Sequence, residues 1–453
     1  MKVLKFGGTS VGTVESLRNV KKIVEAIPGK AVIVVSALGG LTDKLIATTF
    51  KSSQGDSEWH EDMNAIRARH HEIIQQMIPE EKLDEVTEKI ESLLGSLEAA
   101  YEKAEKDGVT EQLSDEIVSF GERMSSEIVA AMVEGGKRYY SPDFVKTEKW
   151  YGKNIAAGQM TEKLIQETFS RLEENEKAIV PGFISTDRES GVITNLGRGG
   201  SDFTGALIAA ALDAEVLEIW TDVDGFMTAD PRVVKDALII NHLTFTESME
   251  LCTFGAKVIY PPTIYPVFHK NIPIKILNTF NPSAPGTVVT DHPHRDDFDV
   301  KGVTAHKGIS LVTIKTFNPG NEKELHLRGL NALSRQGVNI FPLSPNEEEG
   351  RIFFGLNASD SSKSKDILSE EFIREAERGE VTSPQLEEGL SALAIVGKEM
   401  NNRPRLKARI CHSLEREGIN VKAFSDDSDT TLVLLIDEGR VGEALRLIHS
   451  LVF

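Results

Sequence analysis

Cysteine is nearly missing: Cys252 and Cys411 are the only two in 453 residues. Two cannot build a disulfide framework, so a reducing, cytoplasmic setting is expected. Long apolar runs are missing too. No stretch approaches the roughly 18 uninterrupted apolar residues of a membrane-spanning helix, which excludes an integral helical membrane protein. Met1-Lys2 leads straight into a strand-like run, without the basic-then-apolar leader of a secreted chain. Positive charge is in deficit: 51 Lys and Arg face 70 Asp and Glu, a formal net charge of −19. That balance speaks against nucleic acid or an anionic membrane as a partner, so any anion must be held by a few local cations. Two nucleotide signatures are also lacking. There is no G-x-x-x-x-G-K-[ST], and no G-x-G-x-x-G follows a strand, so neither a P-loop nor the common dinucleotide fingerprint is present.

What is there reads as α/β. Val3-Phe6 is a short apolar run broken only by Lys5, Thr13 can cap a helix with Leu17, Val20, Val24 and Ile27 on one face, and Ala31-Val35 is all apolar. Such a run suits a parallel strand buried on both sides. Residues 58–140 carry helical periodicity. From 178 to 290 strands and helices alternate again, with strands expected at 178–185, 216–220 and 272–277 and helices at about 202–212 and 246–258. Alternation over some 290 residues predicts one large domain, 1–290, with a mainly parallel sheet. The polar stretch 291–299 reads as a linker; His292 and His294 flank Pro293, a poor metal pattern. Beyond it an internal repeat appears. Asn331-Ala-Leu-Ser-Arg-Gln-Gly-Val-Asn-Ile340 matches His412-Ser-Leu-Glu-Arg-Glu-Gly-Ile-Asn-Val421. The shared frame is a helix end, a glycine C-cap and a strand, which predicts two small duplicated α/β modules.

Three glycine-rich loops carry the chemistry. In Lys5-Phe-Gly-Gly-Thr-Ser10 a charged lysine sits inside a buried strand, a costly placement unless it meets a partner. Gly7 and Gly8 let backbone N–H groups approach an anion, so a phosphate contact is favoured over a snorkelling lysine. In Asn195-Leu-Gly-Arg-Gly-Gly-Ser-Asp202, Gly197, Gly199 and Gly200 turn the chain into a helix of small residues, and Arg198 offers a fork suited to a carboxylate. In Val35-Ser-Ala-Leu-Gly-Gly-Leu-Thr-Asp43, Ser36 and Thr42 add hydroxyls. All three loops follow strands, at the carboxyl ends where open α/β sheets place ligands.

These residues resemble the aspartate kinase family. Lys5-Phe-Gly-Gly-Thr-Ser-Val11 is similar to its opening signature. The likeness continues through Ser36-Ala37, Ser119-Phe-Gly-Glu122, Leu196-Gly-Arg-Gly-Gly-Ser-Asp202, Trp220-Thr-Asp-Val223, Thr228-Ala-Asp-Pro-Arg232 and Phe254-Gly-Ala-Lys-Val258. The C-terminal repeat is similar to the paired ACT modules of many family members. The resemblance implies an amino acid kinase fold, an open, mainly parallel eight-stranded sheet between helix layers, followed by two ferredoxin-like ACT modules. These are expected as module 1 over 309–389 and module 2 over 300–308 plus 390–453. It also implies phosphorylation of L-aspartate by ATP with Mg²⁺. At 453 residues with no dinucleotide fingerprint, no room is expected for the homoserine dehydrogenase half of bifunctional relatives.

By motif, Lys5 and the amides of Gly7 and Gly8 would hold the transferred phosphoryl group, with Gly199 and Gly200 opposite and Asp202 orienting Lys5. Arg198 would bind the α-carboxylate of aspartate and Glu122 its α-amino group, helped by Ser36, Thr42 and Ser201. Thr221, Asp222 and Arg232 would meet the nucleotide, with Lys257 near its phosphates. Met227 stands where many relatives have a tyrosine. No metal ligands are assigned. The modules imply at least a dimer and an effector amino acid, lysine foremost, near 318–345; Pro342 restricts the strand there, and Glu347-Glu-Glu349 just beyond reads as a solvated acidic hairpin able to attract a cation. Rival readings are a sister kinase acting on glutamate, N-acetylglutamate, carbamate or UMP, a ligand sensor on an inactive kinase relic, and an NAD-dependent dehydrogenase.

Overall fold

The structure, a computed structural model, describes residues 1–150, 153–292, 298–318, 320–341, 343, 350–425 and 428–453. It divides into two compact units: 1–226, 241–245 and 258–293, and 227–240, 246–257 and 294–453. The second unit takes in two short excursions, 227–240 and 246–257, from within the range 1–290.

The first unit begins β1 (Lys2–Phe6), α1 (Val14–Glu25), β2 (Ala31–Val35), α2 (Leu41–Ser53), α3 (Trp59–Met77), α4 (Glu80–Asp107) and α5 (Glu111–Met132). It continues β3 (Gly136–Arg138), β4 (Lys146–Trp150), β5 (Lys153–Ala156), α6 (Gly158–Phe169), β6 (Lys177–Pro181), β7 (Ile184–Asp187), β8 (Ile193–Asn195), α7 (Gly200–Ala211) and β9 (Val216–Thr221). After β10 (His242–Thr244) and α8 (Phe245–Thr253), which runs into the second unit, come α9 (Ile264–Phe268), β11 (Ile274–Asn278) and β12 (Thr287–Thr290).

Eight strands form one sheet in the order β10-β12-β11-β9-β1-β2-β6-β3, parallel except where β12 runs against β11. The all-apolar β2 is central and fully buried. Leu4, Phe6, Ile33 and Val35 share one core with the apolar stripes of α1 to α5. Burying each such side chain contributes about 1.5–3 kcal/mol. Thr13 caps α1 as expected, in a reciprocal box with Ser16.

Three local expectations are corrected. The run 178–185 is two strands in two sheets, because the chain turns at Gly182-Phe183. Phe183 takes φ +68, and its N–H donates to the Thr204 hydroxyl at 3.0 Å. β8 therefore lies in a separate four-stranded sheet, β5-β4-β7-β8, so only two of the three glycine loops leave the large sheet. The helix expected at 246–258 ends at Thr253, ahead of Gly255 with φ +126.

The second unit contains β13 (Val300–Lys315), α10 (Glu322–Arg335), β14 (Ile340–Phe341), β15 (Arg351–Asn357), α11 (Ser361–Glu371), α12 (Ile373–Glu377), β16 (Gln385–Gly397), α13 (Pro404–Arg416), β17 (Val421–Ser425), β18 (Thr431–Asp437) and α14 (Val441–Val452). Its antiparallel sheet runs β14-β15-β13-β16-β18-β17. Two cores lie on it. Val312, Ile314, Leu333 and Phe354 belong to one, and Val303, Leu393, Leu414 and Leu434 to the other. The repeat is visible in three dimensions: Gly337 after α10 and Gly418 after α13 have φ +72 and +66, the left-handed cap the shared frame predicts. Of the strand expected after Gly337, the described residues show Ile340–Phe341. Pro342 and Glu347-Glu-Glu349 lie outside the described residues.

Candidate active site

The parallel strands β1, β2 and β9 end side by side, and the loops leaving β1 and β2 interlock. A Cβ on Gly8 would stand 3.2 Å from the Ala37 carbonyl, and one on Gly39 would stand 3.0 Å from the Gly8 carbonyl. Only glycines permit this approach. The Gly7 N–H is spent on the Trp220 carbonyl at 3.0 Å, prolonging the β1–β9 ladder. The Gly8 N–H has no acceptor among the described residues and is the amide of the pair left for an anion.

Lys5 projects from β1 towards α7. Gly205 makes room for it: a Cβ there would touch Lys5 Cβ at 3.5 Å. The Lys5 ammonium lies 2.6 Å from Asp202 Oδ1, and both side chains are about nine-tenths covered. The contact is an ion pair rather than a well-directed hydrogen bond. It meets the charge of a strand lysine, yet leaves donor capacity free. At the start of α7 the Gly200 N–H donates to the Gly197 carbonyl, whereas the amides of Gly199, Ser201 and Asp202 have no protein acceptor among the described residues. Free first-turn amides beside a lysine make an anion site. Gly199 has φ +70, and a Cβ there would fall 2.3 Å from Tyr260 Cβ, so the Tyr260 ring covers this turn. Arg198 is exposed and unpaired among the described residues.

Glu122 is brought to the same place by α5. Gly121 lets that helix sit against the Ser36-Gly40 loop, where a Cβ would meet Ala37 Cβ at 2.7 Å, and the Ser125 hydroxyl donates to the Ser36 carbonyl at 2.7 Å. Glu122 is buried and its Oε2 has no partner. Desolvation pushes its carboxyl up to about 8, against the pull of the Ala37 N–H and of Lys5. Ser36 and Thr42 are partly covered at the rim of this loop, and Ser201 is buried.

Thr221, at the end of β9, donates to Asp222 at 3.2 Å. Three expected nucleotide residues belong to the second unit. Met227 bridges Ile239, Arg232 is exposed with its fork on Asp230 at 2.8 Å, and Lys257 is exposed beyond α8. The structure thus brings Lys5, Gly8, Glu122 and Asp202 together, while Met227, Arg232 and Lys257 lie in the other unit. Two contributors had escaped the sequence reading: Tyr260 over Gly199, and Thr204, which holds the Phe183 backbone at the foot of α7.

A profile of the amino acid kinase family matches residues 1–278. The chain belongs to that family. An ACT domain profile matches residues 393–451 of this amino acid kinase. Along all of its length the chain is 29% identical to lysine-sensitive aspartokinase 3 of Escherichia coli, of which it covers 99%. It is 30% identical to the bifunctional aspartokinase/homoserine dehydrogenase of Haemophilus influenzae, of which it covers 56%. The chain spans about half the length of several curated relatives it matches. Among solved structures, E. coli aspartokinase III in complex with aspartate and ADP superimposes with a TM-score of 0.82 at 26% identity, covering 99% of both chains. Aspartate kinase of Clostridium acetobutylicum shares the fold, with a TM-score of 0.81 at 23% identity over both full chains.

Proposed function

We propose that this chain transfers the γ-phosphoryl group of MgATP to the side-chain carboxylate of L-aspartate, giving ADP and 4-phospho-L-aspartate, the first step towards lysine, threonine and methionine. The observation that carries this is Glu122, a buried carboxyl with an unused oxygen that feels the Lys5 charge and sits against the loop after β2. Such a group calls for a cation, and the α-ammonium of an amino acid supplies one. The similar E. coli structure with aspartate and ADP supports the choice of both substrates.

The acceptor oxygen is already anionic at pH 7, since a free aspartate carboxyl has a pKa of about 3.9. No general base is needed. The barrier is the approach of two anions, and the groups to lower it are the Lys5 ammonium, fixed by Asp202, and the amides of Gly8, Gly199, Ser201 and Asp202. Arg198 takes the α-carboxylate and Glu122 the α-ammonium, with Ser36, Thr42 and Ser201 around them. Thr221, Asp222, Met227, Arg232 and Lys257 serve the nucleotide. Magnesium would arrive as MgATP and offset phosphate charge, and no residue of this chain is assigned to hold it.

The ACT profile and the repeat support feedback control by an amino acid. A similar E. coli structure, with a TM-score of 0.76 at 26% identity, holds lysine and aspartate, which favours lysine here. We assign the enzyme to the cytoplasm as a homodimer or larger assembly, with the catalytic range 1–290, module 1 at 309–389 and module 2 at 300–308 plus 390–453.

The test is ATP-dependent hydroxamate formation, which traps an acyl phosphate. Aspartate should give product and glutamate and N-acetylglutamate little. Equal or greater rates with either alternative, or no acyl phosphate at all, would sink the assignment.

A further inference from the structure

We propose that Asp115 and Asn195 form a positioning pair that sets Arg198 against Glu122, so that one face of α5 governs both readers of the amino-acid end of the substrate. The inference rests on the roles proposed above for Arg198 and Glu122. It goes beyond them by naming two residues that need not touch substrate.

Asp115 and Glu122 are both on α5, seven residues apart, which is two turns along one stripe. Asn195 is the last residue of β8, three before Arg198. Its amide nitrogen donates to Asp115 Oδ1 at 2.6 Å. Its amide oxygen accepts from the Gly197 N–H at 3.4 Å. One side chain therefore grips the helix with one end and the start of the glycine loop with the other.

That loop needs an anchor. Gly197 and Gly199 both take left-handed φ, +71 and +70, and glycine has little preference of its own. Arg198, between them, has no ion pair among the described residues to fix it. Beyond it the Tyr260 ring and the first turn of α7 fix the chain. Before it, the Leu196 N–H holds the chain to the Phe183 carbonyl at 2.9 Å, and the Asn195 side chain is the hydrogen-bonded link to the helix that carries Glu122. Loss of this tie frees Arg198 to wander from the position its partner carboxylate requires, which costs affinity for the amino acid and leaves the phosphate end untouched.

The pair also carries a pH signature. Burial, then the Glu111 carboxylate on the same helix, push Asp115 up to about 6, while Asn195 and Lys149 of β4 pull it down. Lys149 is itself paired with Glu111 at 2.8 Å. A carboxylate accepts the Asn195 amide more strongly than a neutral carboxyl does. As the pH falls below about 6 the tie weakens, adding a rise in KM for aspartate to the one that Glu122 contributes.

The experiment uses the full chain, with steady-state kinetics in both substrates from pH 5.5 to 8 and thermal unfolding of each variant. Asn195→Ala should raise KM for aspartate roughly tenfold or more, as for loss of a hydrogen bond to a charged group, with KM for ATP within twofold. Asp115→Asn keeps a neutral hydrogen bond. It should raise KM for aspartate a few-fold and abolish the extra rise below pH 6. The exchange Asp115→Asn with Asn195→Asp restores donor and acceptor in reverse and should recover most of the affinity, an outcome that mere loss of stability cannot produce. Arg198→Ala is the reference. If it raises KM for aspartate while Asn195→Ala and Asp115→Asn do not, the positioning pair is wrong and the proposed function stands. If Arg198→Ala itself leaves KM for aspartate unchanged, the assignment of Arg198 falls, and this inference with it. Equal rises in both KM values, or no recovery in the exchange, also overturn the pair.

Discussion

Binding of aspartate should release a proton, and Glu122 is the reason. Its carboxyl is buried, with its pKa pushed up to about 8 by desolvation. At pH 7 about nine in ten free molecules then carry it neutral, because one pH unit is a tenfold change in the ionised population. An α-ammonium requires the carboxylate, so binding must ionise Glu122 and expel its proton. The apparent Kd for aspartate should fall about ninefold from pH 6 to 7 and about fivefold from pH 7 to 8, and flatten above that. Calorimetry at pH 7 in phosphate and in Tris, whose ionisation enthalpies differ, should report release of about 0.9 proton per site, the neutral fraction just derived. Glu122→Gln should bind aspartate more weakly, with no pH dependence between 6 and 8 and no buffer dependence. The unliganded protein should show the same group in its stability. A carboxyl whose folded pKa lies above its unfolded value of 4.5 opposes folding increasingly as pH rises from 4.5 to about 8. The melting temperature contribution of Glu122 should therefore decline over that range, and aspartate should restore it. Heats identical in both buffers, together with a Kd constant within twofold from pH 6 to 8, would refute the reasoning.

Lys5→Met should leave the fold intact by circular dichroism and lower kcat by about 10³ or more, since its charge meets the phosphoryl group most strongly in the transition state; near wild-type turnover in the folded variant would remove Lys5 from the phosphoryl site. Gly199→Ala should cut kcat/KM roughly tenfold or more, because φ +70 and a Cβ placed 2.3 Å from Tyr260 both resist it. Adding Tyr260→Ala should recover part of the loss, and unchanged kinetics in the single variant would mean the turn is not held as described. Lysine, tested beside threonine and methionine by initial rate and calorimetry, should bind and inhibit at millimolar concentration or below, and aspartate with MgATP should weaken its binding by the same factor. Binding by none of the three would reduce the repeat to a dimerisation device.

Much of the centre was legible because its signals are local. A lysine in the otherwise apolar run Val3–Phe6, followed by two glycines, states its own electrostatic problem, and the structure answers it with Asp202. The fully buried β2 reads directly from five apolar residues. The duplication reads from a helix end and a glycine cap, found at Gly337 and Gly418. What stayed hidden depends on distant partners. Nothing local says that 178–185 divides between two sheets, since the break rests on Phe183 meeting Thr204 some twenty residues later. Tyr260 covers Gly199 from sixty residues away, and Asp115 meets Asn195 from eighty. Strand pairing and side-chain contacts across such separations are set by tertiary packing, which propensity and periodicity do not encode.

The long strands β13 and β16 pass through both C-terminal cores. Val303 and Leu393 belong to one, Val312 and Leu386 to the other, and the two strands pair along nearly their whole length. No single cut releases either half intact, and removal of 309–389 would sever both central strands. The halves should therefore melt together as one cooperative unit. Duplicated modules joined by a loose tether can diverge and be shuffled one at a time. These two are woven from shared strands, so a change that loosens one loosens the lattice of its twin, and they are bound to be inherited, exchanged or lost as a single piece.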